Sequence, residues 1–407
     1  MRKLTVITVL FSLFACITNY VPLSLGVIAL LPLAVSSLCY HQRLRFFRGQ
    51  IYLLLLFSWI MMSVLLYNAS SLQEFDFYRK DGNFFISYTV LLVLLFIPFS
   101  VNIDTQRWTS WIFAEFFLLS CIGFFLMPGE TTDEGKSVHH FFFVSHNAAG
   151  GFYSVIAAVA LGIYLQTKKK GYLFFSTAFL FFLYESDSRG SLLAIIVAAG
   201  YALFGFKKPV IIFLLFLLVQ FAVVLQTYPE WVRMGKVMSE GANFVIWGGG
   251  QEITFQRAGT FIDRLYFLWP RALDNILHSP VAGLGFGSFD DLYYHYIDAI
   301  PHVLAVKDGA VVRHSDSHAH NSTLTLLAEL GVVGYALFLM LFNEILKSFQ
   351  RLKYYDPVMS FALTLAFWTC VFSSATEHRI TTPSQMVPFF ILAGMSWLKY
   401  PQLFRNV

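Results

Sequence analysis

Charge is scarce in this sequence. Asp, Glu, Lys and Arg make up 13% of the 407 residues, about half the share of an ordinary soluble domain. Apolar residues make up 57%, and mean hydropathy is +0.64. A water-soluble globule of this size cannot hide that much oily surface, so a soluble enzyme, a disordered chain and a small disulfide scaffold are all excluded. Cysteine is also scarce. Cys16, Cys39, Cys121 and Cys370 sit singly inside apolar runs and form no CxxC pair. They supply neither a disulfide framework nor a thiolate zinc site. No Walker sequence, HExxH or GxSxG is present, so the sequence offers no signature of those nucleotide, zinc-protease or serine-hydrolase sites. Heptads and internal repeats are absent as well.

Apolar runs are abundant. A membrane span needs about 20 mostly apolar residues, and candidates fall at 4–20, 21–40, 51–67, 83–101, 109–127, 147–166, 171–185, 191–206, 209–226, 321–346, 357–375 and 383–398. The opening Met1-Arg2-Lys3 and the run behind it have the look of a signal peptide, but a second apolar run follows directly, and a transmembrane hairpin is the simpler account. The expected fold class is therefore an all-α polytopic membrane protein with about 12 transmembrane helices.

Loop charges orient these spans, because short cytoplasmic loops retain Lys and Arg. Alternate loops and both termini carry sixteen positive residues, among them Arg43, Lys168 to Lys170, Lys207 and Lys347. The short loops of the other side carry five: Arg79, Lys80, Lys136, Arg189 and Arg379. Both termini are expected in the cytoplasm. The chain then divides into spans one to nine (1–226), a long hydrophilic loop outside the cytoplasm (227–320), and spans ten to twelve with a short tail (321–407). Apolar patches inside the long loop predict short helices, and a functional site is expected there.

The loop ends in His314-Ser315-Asp316-Ser317-His318-Ala319-His320-Asn321. Imidazole and carboxylate suit zinc, yet His318 and His320 would point about 200° apart on a helix. Joint ligation would require an extended segment. The residues also read as a solvated loop, or with His320 as a proton-transfer group; the last is favoured and no metal is expected. Asn321 can cap the following helix. Glu329 lies about two turns further in, where a carboxylate is costly and either functional or a packing element. Gly331 and Gly334 allow close helix approach. Arg264 and Arg271 are read on one face of an amphipathic helix that Pro270 ends or kinks. With Arg189, they offer the planar paired donors that suit a pyrophosphate; the plainer alternative is headgroup or carboxylate pairing. The glycine-rich His278–Phe289 stretch follows no βαβ strand and reads as turns needing positive φ.

Three stretches resemble the Wzy_C superfamily of bacterial membrane glycan transferases. They are Ser188-Arg189-Gly190-Ser191-Leu192-Leu193-Ala194; Arg264-Leu265 through Trp269, Ala272 to Ile276, His278-Ser279-Pro280, Gly283, Gly285 and Phe289; and His320-Asn321, nine residues, Gly331, two residues, Gly334. The last is the most specific. The resemblance implies a GT-C-like enzyme of the bacterial inner membrane whose active site faces the periplasm. Protein oligosaccharyltransferases of the superfamily are typically longer at the C-terminal end. The large late loop before the His motif looks more like an O-antigen ligase than a polymerase. A lipid-linked glycan transporter is the rival from another class.

As implied by the resemblance, the donor is O-antigen on undecaprenyl pyrophosphate and the acceptor is a sugar hydroxyl of lipid A–core, with membrane lipids around and no nucleic acid. Because the pyrophosphate ester is already activated, no nucleotide triphosphate is needed outside the cytoplasm; the resemblance implies an enzyme that works without a metal, and no cofactor is expected. His320 takes the acceptor proton, since imidazole exchanges protons near neutral pH. Arg264 and Arg189 hold the pyrophosphate. His318, Asn321, Arg271, Arg313 and Glu329 are supporting candidates.

Overall fold

The structure, a computed structural model, describes residues 48–67, 69, 82–96, 104–127, 129–131, 137–143, 145–204, 209–239, 264, 268–289, 303–307, 310–313, 318–400 and 403. The first two expected spans lie outside these residues. Among the described residues the helices are α1 (Arg48–Tyr67), α2 (Gly82–Phe96), α3 (Thr105–Leu126), α4 (His146–Thr167), α5 (Lys170–Glu185), α6 (Arg189–Phe204), α7 (Pro209–Ser239), α8 (Trp269–His278), α9 (Ser322–Leu352), α10 (Pro357–Ser374) and α11 (Pro383–Lys399). Two short antiparallel hairpins accompany them: β1 (Glu130–Thr131) with β2 (Ser137–Val138), and β3 (Val303–Lys307) with β4 (Ala310–Arg313). All ten remaining expected spans coincide with a helix. Among the described residues, six helices are long and apolar enough to cross a bilayer, and the chain is a helical polytopic membrane protein. α7 continues to Ser239, beyond the boundary expected at 226.

The chain forms two compact units. The first comprises Met1–Leu54, Gly82–Pro209 and Leu339–Val407; the second comprises Leu55–Asp81 and Val210–Phe338. In the first unit, α4 is the central helix and packs on α5, α6, α10 and α11. Its Gly162 lies so close to Ala362 of α10 that an added Cβ would overlap that residue. Lipid tails are as apolar as the side chains, so such close packing, rather than escape from water, holds the spans together. Aromatic rings fill the space between α3, α4 and α5: Phe116 and Phe152 pack edge to face at 4.9 Å, and Phe113 and Phe179 at 5.8 Å. Tyr153, fully buried, donates from its hydroxyl to Ser120 Oγ at 2.9 Å.

Helix ends are fixed by caps that the sequence supplies. Ser145 accepts from the Ala148 amide at 3.2 Å to start α4, and Asp356 accepts from the Met359 amide at 3.0 Å to start α10. Pro357 and Pro383 lie in first turns, where a missing N–H costs no bond.

The second unit is built on a cluster from three elements. Val224 of α7, Leu268, Trp269, Ala272 and Leu273 of α8 and its lead-in, and Ala319, Leu324 and Ala328 at the start of α9 pack with Phe289.

Candidate functional site

The second unit carries most of the candidate residues. α9 opens immediately after the histidine segment, and several bonds pin that junction. Asn321 is buried; its Oδ1 accepts from the Leu324 amide at 3.1 Å, the expected cap, and its Nδ2 donates to Gln220 Oε1 of α7 at 3.2 Å. Ala319 donates its N–H to Thr325 Oγ1 at 3.0 Å, and its carbonyl accepts from Trp269 Nε1 at 3.1 Å. The turn between His318 and His320 is thereby tied to α8 and to the first turn of α9. The two rings meet edge to face with centroids 4.6 Å apart.

His320 has φ +49°. A non-glycine residue held in the left-handed region is strained by about 1–3 kcal/mol and tends to mark functional positions. Both histidines are half-buried.

Ten residues into α9 the helix breaks. Gly331 has φ +64° and ψ −171°, a conformation essentially reserved for glycine. A broken helix inside a membrane must satisfy the backbone groups it frees, because no bulk water is available. The glycine-rich segment does this. Leu284 and Gly285 donate amides to the Ala328 and Glu329 carbonyls at 3.0 and 2.9 Å. Past the break, the Val332 and Val333 amides donate to the Pro280 and Val281 carbonyls at 2.9 and 3.3 Å. The Leu330 carbonyl accepts from Trp59 Nε1 at 3.0 Å.

The contact is backbone on backbone. Side chains added at Gly283 or Gly331 would collide with the other segment's main chain. Gly283, Gly285 and Gly287 all have positive φ, as their sequence context predicts. Gly331 is therefore more than a close-packing residue: it is where the span is interrupted.

Of the other candidates in this unit, Arg271 is buried in the first turn of α8, its guanidinium 5.1 Å from the Phe289 ring centroid. Arg264 is half-buried and π-helical. Arg264 and Leu268 are both in π-helical positions, the α-helix Trp269–His278 follows Leu268 directly, and residues 265–267 lie outside the described residues. Pro270 and Arg271 both lie in the first turn of α8, so the expectation that Pro270 ends the helix is corrected. A proline there opens a helix instead of ending it. Glu329 is buried just before the break. Arg313 closes β4 opposite Val303. His314 and Asp316 lie outside the described residues.

Arg189 belongs to the first unit, at the start of α6. Its side chain is 77% exposed and stands 3.6 Å from Asp187. The turn before it is tight: Asp187 has φ +48°, and the Arg189 amide donates to the Asp187 carbonyl at 3.0 Å.

Two residues stand out that sequence reasoning does not single out. Arg379, which serves there only as an orientation charge, is buried in the turn between α10 and α11. Gln220 partners Asn321. Each has a signal: a cation in the short Glu377-His378-Arg379 triplet, and an amide inside an apolar run.

Residues 173–339 match the Wzy_C family model, described as O-antigen ligase. The match runs from α5 into α9 and includes Arg189, Arg264, Arg271, Arg313, His318, His320, Asn321, Glu329, Gly331 and Gly334. No curated protein matches the chain.

Proposed function

We propose, taking the Wzy_C region in a polytopic membrane protein as premise, that the chain transfers O-antigen from undecaprenyl pyrophosphate to a sugar hydroxyl of lipid A–core at the periplasmic face of the bacterial inner membrane. The family match supports a glycan-transferring enzyme of the ligase or polymerase kind. The observation that carries the reading further is His320. It is strained, half-buried and pinned through Ala319 and Asn321 at the mouth of an interrupted span.

In this reading neutral His320 accepts the proton of the acceptor hydroxyl, which attacks the anomeric carbon as the pyrophosphate departs with the bonding electron pair. Attack from the opposite face inverts that carbon. His318 orients the His320 ring. Arg264 and Arg189 bind the pyrophosphate and offset the charge that grows on it as the bond breaks. A guanidinium suits this because it is permanently charged and offers paired donors.

Deleting the gene and resolving lipopolysaccharide on a gel tests the proposal. Loss of all capped lipopolysaccharide, with polymeric lipid-linked glycan accumulating, supports ligation. A single repeat retained on the core would assign polymerisation instead, and an unchanged ladder would refute both.

A further inference from the structure

The first unit contains a buried polar arrangement whose role the glycan-transfer reading does not use. Arg379 is 3% exposed. Its Nη2 donates to Ser188 Oγ at 3.1 Å and lies 3.4 Å from Ser191 Oγ. Those two serines, themselves buried and 3.0 Å apart, flank Arg189 and Gly190. Burying a permanent cation is costly and its removal leaves polar groups exposed to a poor environment, so this guanidinium is a strong constraint on whatever it touches.

The surroundings are cleared for it. A Cβ on Gly151 of α4 would lie 3.3 Å from Arg379 Nη1, and one on Gly150 would overlap the Ser188 side chain. A Cβ on Gly190 would press on Thr376 of the α10–α11 turn at 2.6 Å from its Oγ1. The turn that carries Arg189 is therefore gripped from α4 on one side and from the α10–α11 turn on the other. Arg189 itself projects into the open from this fixed base.

We propose that Arg379 is a positioning residue: through Ser188 and Ser191 it fixes the α5–α6 turn and so aims Arg189 at the anionic donor. The proposal rests on the reading of Arg189 as a pyrophosphate ligand. It assigns Arg379 no contact with substrate. Fixing the turn lowers the cost of placing the Arg189 guanidinium, so loss of the clamp falls on donor binding first.

The test measures binding of undecaprenyl pyrophosphate to the purified full-length protein in detergent, with the folded fraction followed by size exclusion. Arg379→Gln is expected to weaken binding on the order of 10-fold or more, as misplacement of a binding group does. Ser188→Ala/Ser191→Ala removes the acceptors while keeping the cation, and should weaken binding in the same direction; it keeps the proposal testable if Arg379→Gln fails to fold. In an Arg189→Ala background either change should cost nothing further. In turnover, the KM for donor should rise more than kcat falls. Wild-type affinity in both variants, or losses that add to that of Arg189→Ala, would overturn the positioning role alone. Wild-type affinity in Arg189→Ala itself would overturn the reading on which it rests.

Discussion

Gly331→Ala tests whether the interruption of α9 is a structural requirement. The backbone at Gly331 has φ +64° and ψ −171°, and alanine there costs about 1–3 kcal/mol in strain alone. Its Cβ would also overlap the Val281 carbonyl. Relief requires separating two stretches of chain that exchange four amide–carbonyl bonds of 2.9 to 3.3 Å. Each such group left unsatisfied away from water costs about 1–3 kcal/mol. Losing even one donor–acceptor pair brings the expected destabilisation to roughly 3–9 kcal/mol. Thermal unfolding in detergent, scored as the monodisperse fraction, should show a large drop in midpoint, and glycan transfer should fall with it. A Gly331→Ala protein with the wild-type midpoint would mean that α9 runs straight, and the described exchange with the glycine-rich loop would be wrong.

Other perturbations give smaller and sometimes opposite effects. Asn321→Ala removes the α9 cap and the bond to Gln220, and should cost about 2 kcal/mol; Asn321→Ser, which keeps the cap, should recover about half in the same melt. Gly171, near the start of α5, has open space where a Cβ would stand, so Gly171→Ala should raise the midpoint slightly, by about 0.5 kcal/mol equivalent. EDTA should leave transfer by the purified protein unchanged. Reversible loss restored by zinc would instead recruit His314, Asp316, His318 and His320 as ligands.

Ten helices, six of them long and apolar enough to cross a bilayer, are legible in the sequence because each is an apolar run, and helix position in a membrane follows that pattern directly. The glycine turns at 283, 285 and 287 are legible from their spacing. The break at Gly331 is not. The residues around it, Leu330, Val332 and Val333, stay apolar, so local periodicity continues through it. The interruption depends on partners about fifty residues upstream, at Pro280 to Gly285. Pro270 misleads for a related reason: it reads as a helix end, yet it lies in the first turn of the α-helix that carries Arg271, and a proline's role depends on where the helix begins. Arg379 looks like any outer-loop cation in the sequence, whereas its burial involves Gly151 on a distant helix. Among the candidate residues, the cap at Asn321 follows from short-range sequence, whereas the contact of the His318 and His320 rings depends on the left-handed backbone at His320 and the ties from Trp269 and Gln220 are long-range.

The most direct measurement compares wild type with His320→Asn for transfer of lipid-linked O-antigen to lipid A–core by purified protein. Asparagine tolerates the left-handed backbone that His320 adopts at φ +49°, so the variant should fold with an unchanged or higher melting midpoint. It cannot take up the acceptor's proton, and product formation should fall by at least two orders of magnitude, within the range attributed to general-base catalysis (roughly 10²–10⁴-fold). Wild-type turnover by a folded His320→Asn protein would contradict the account.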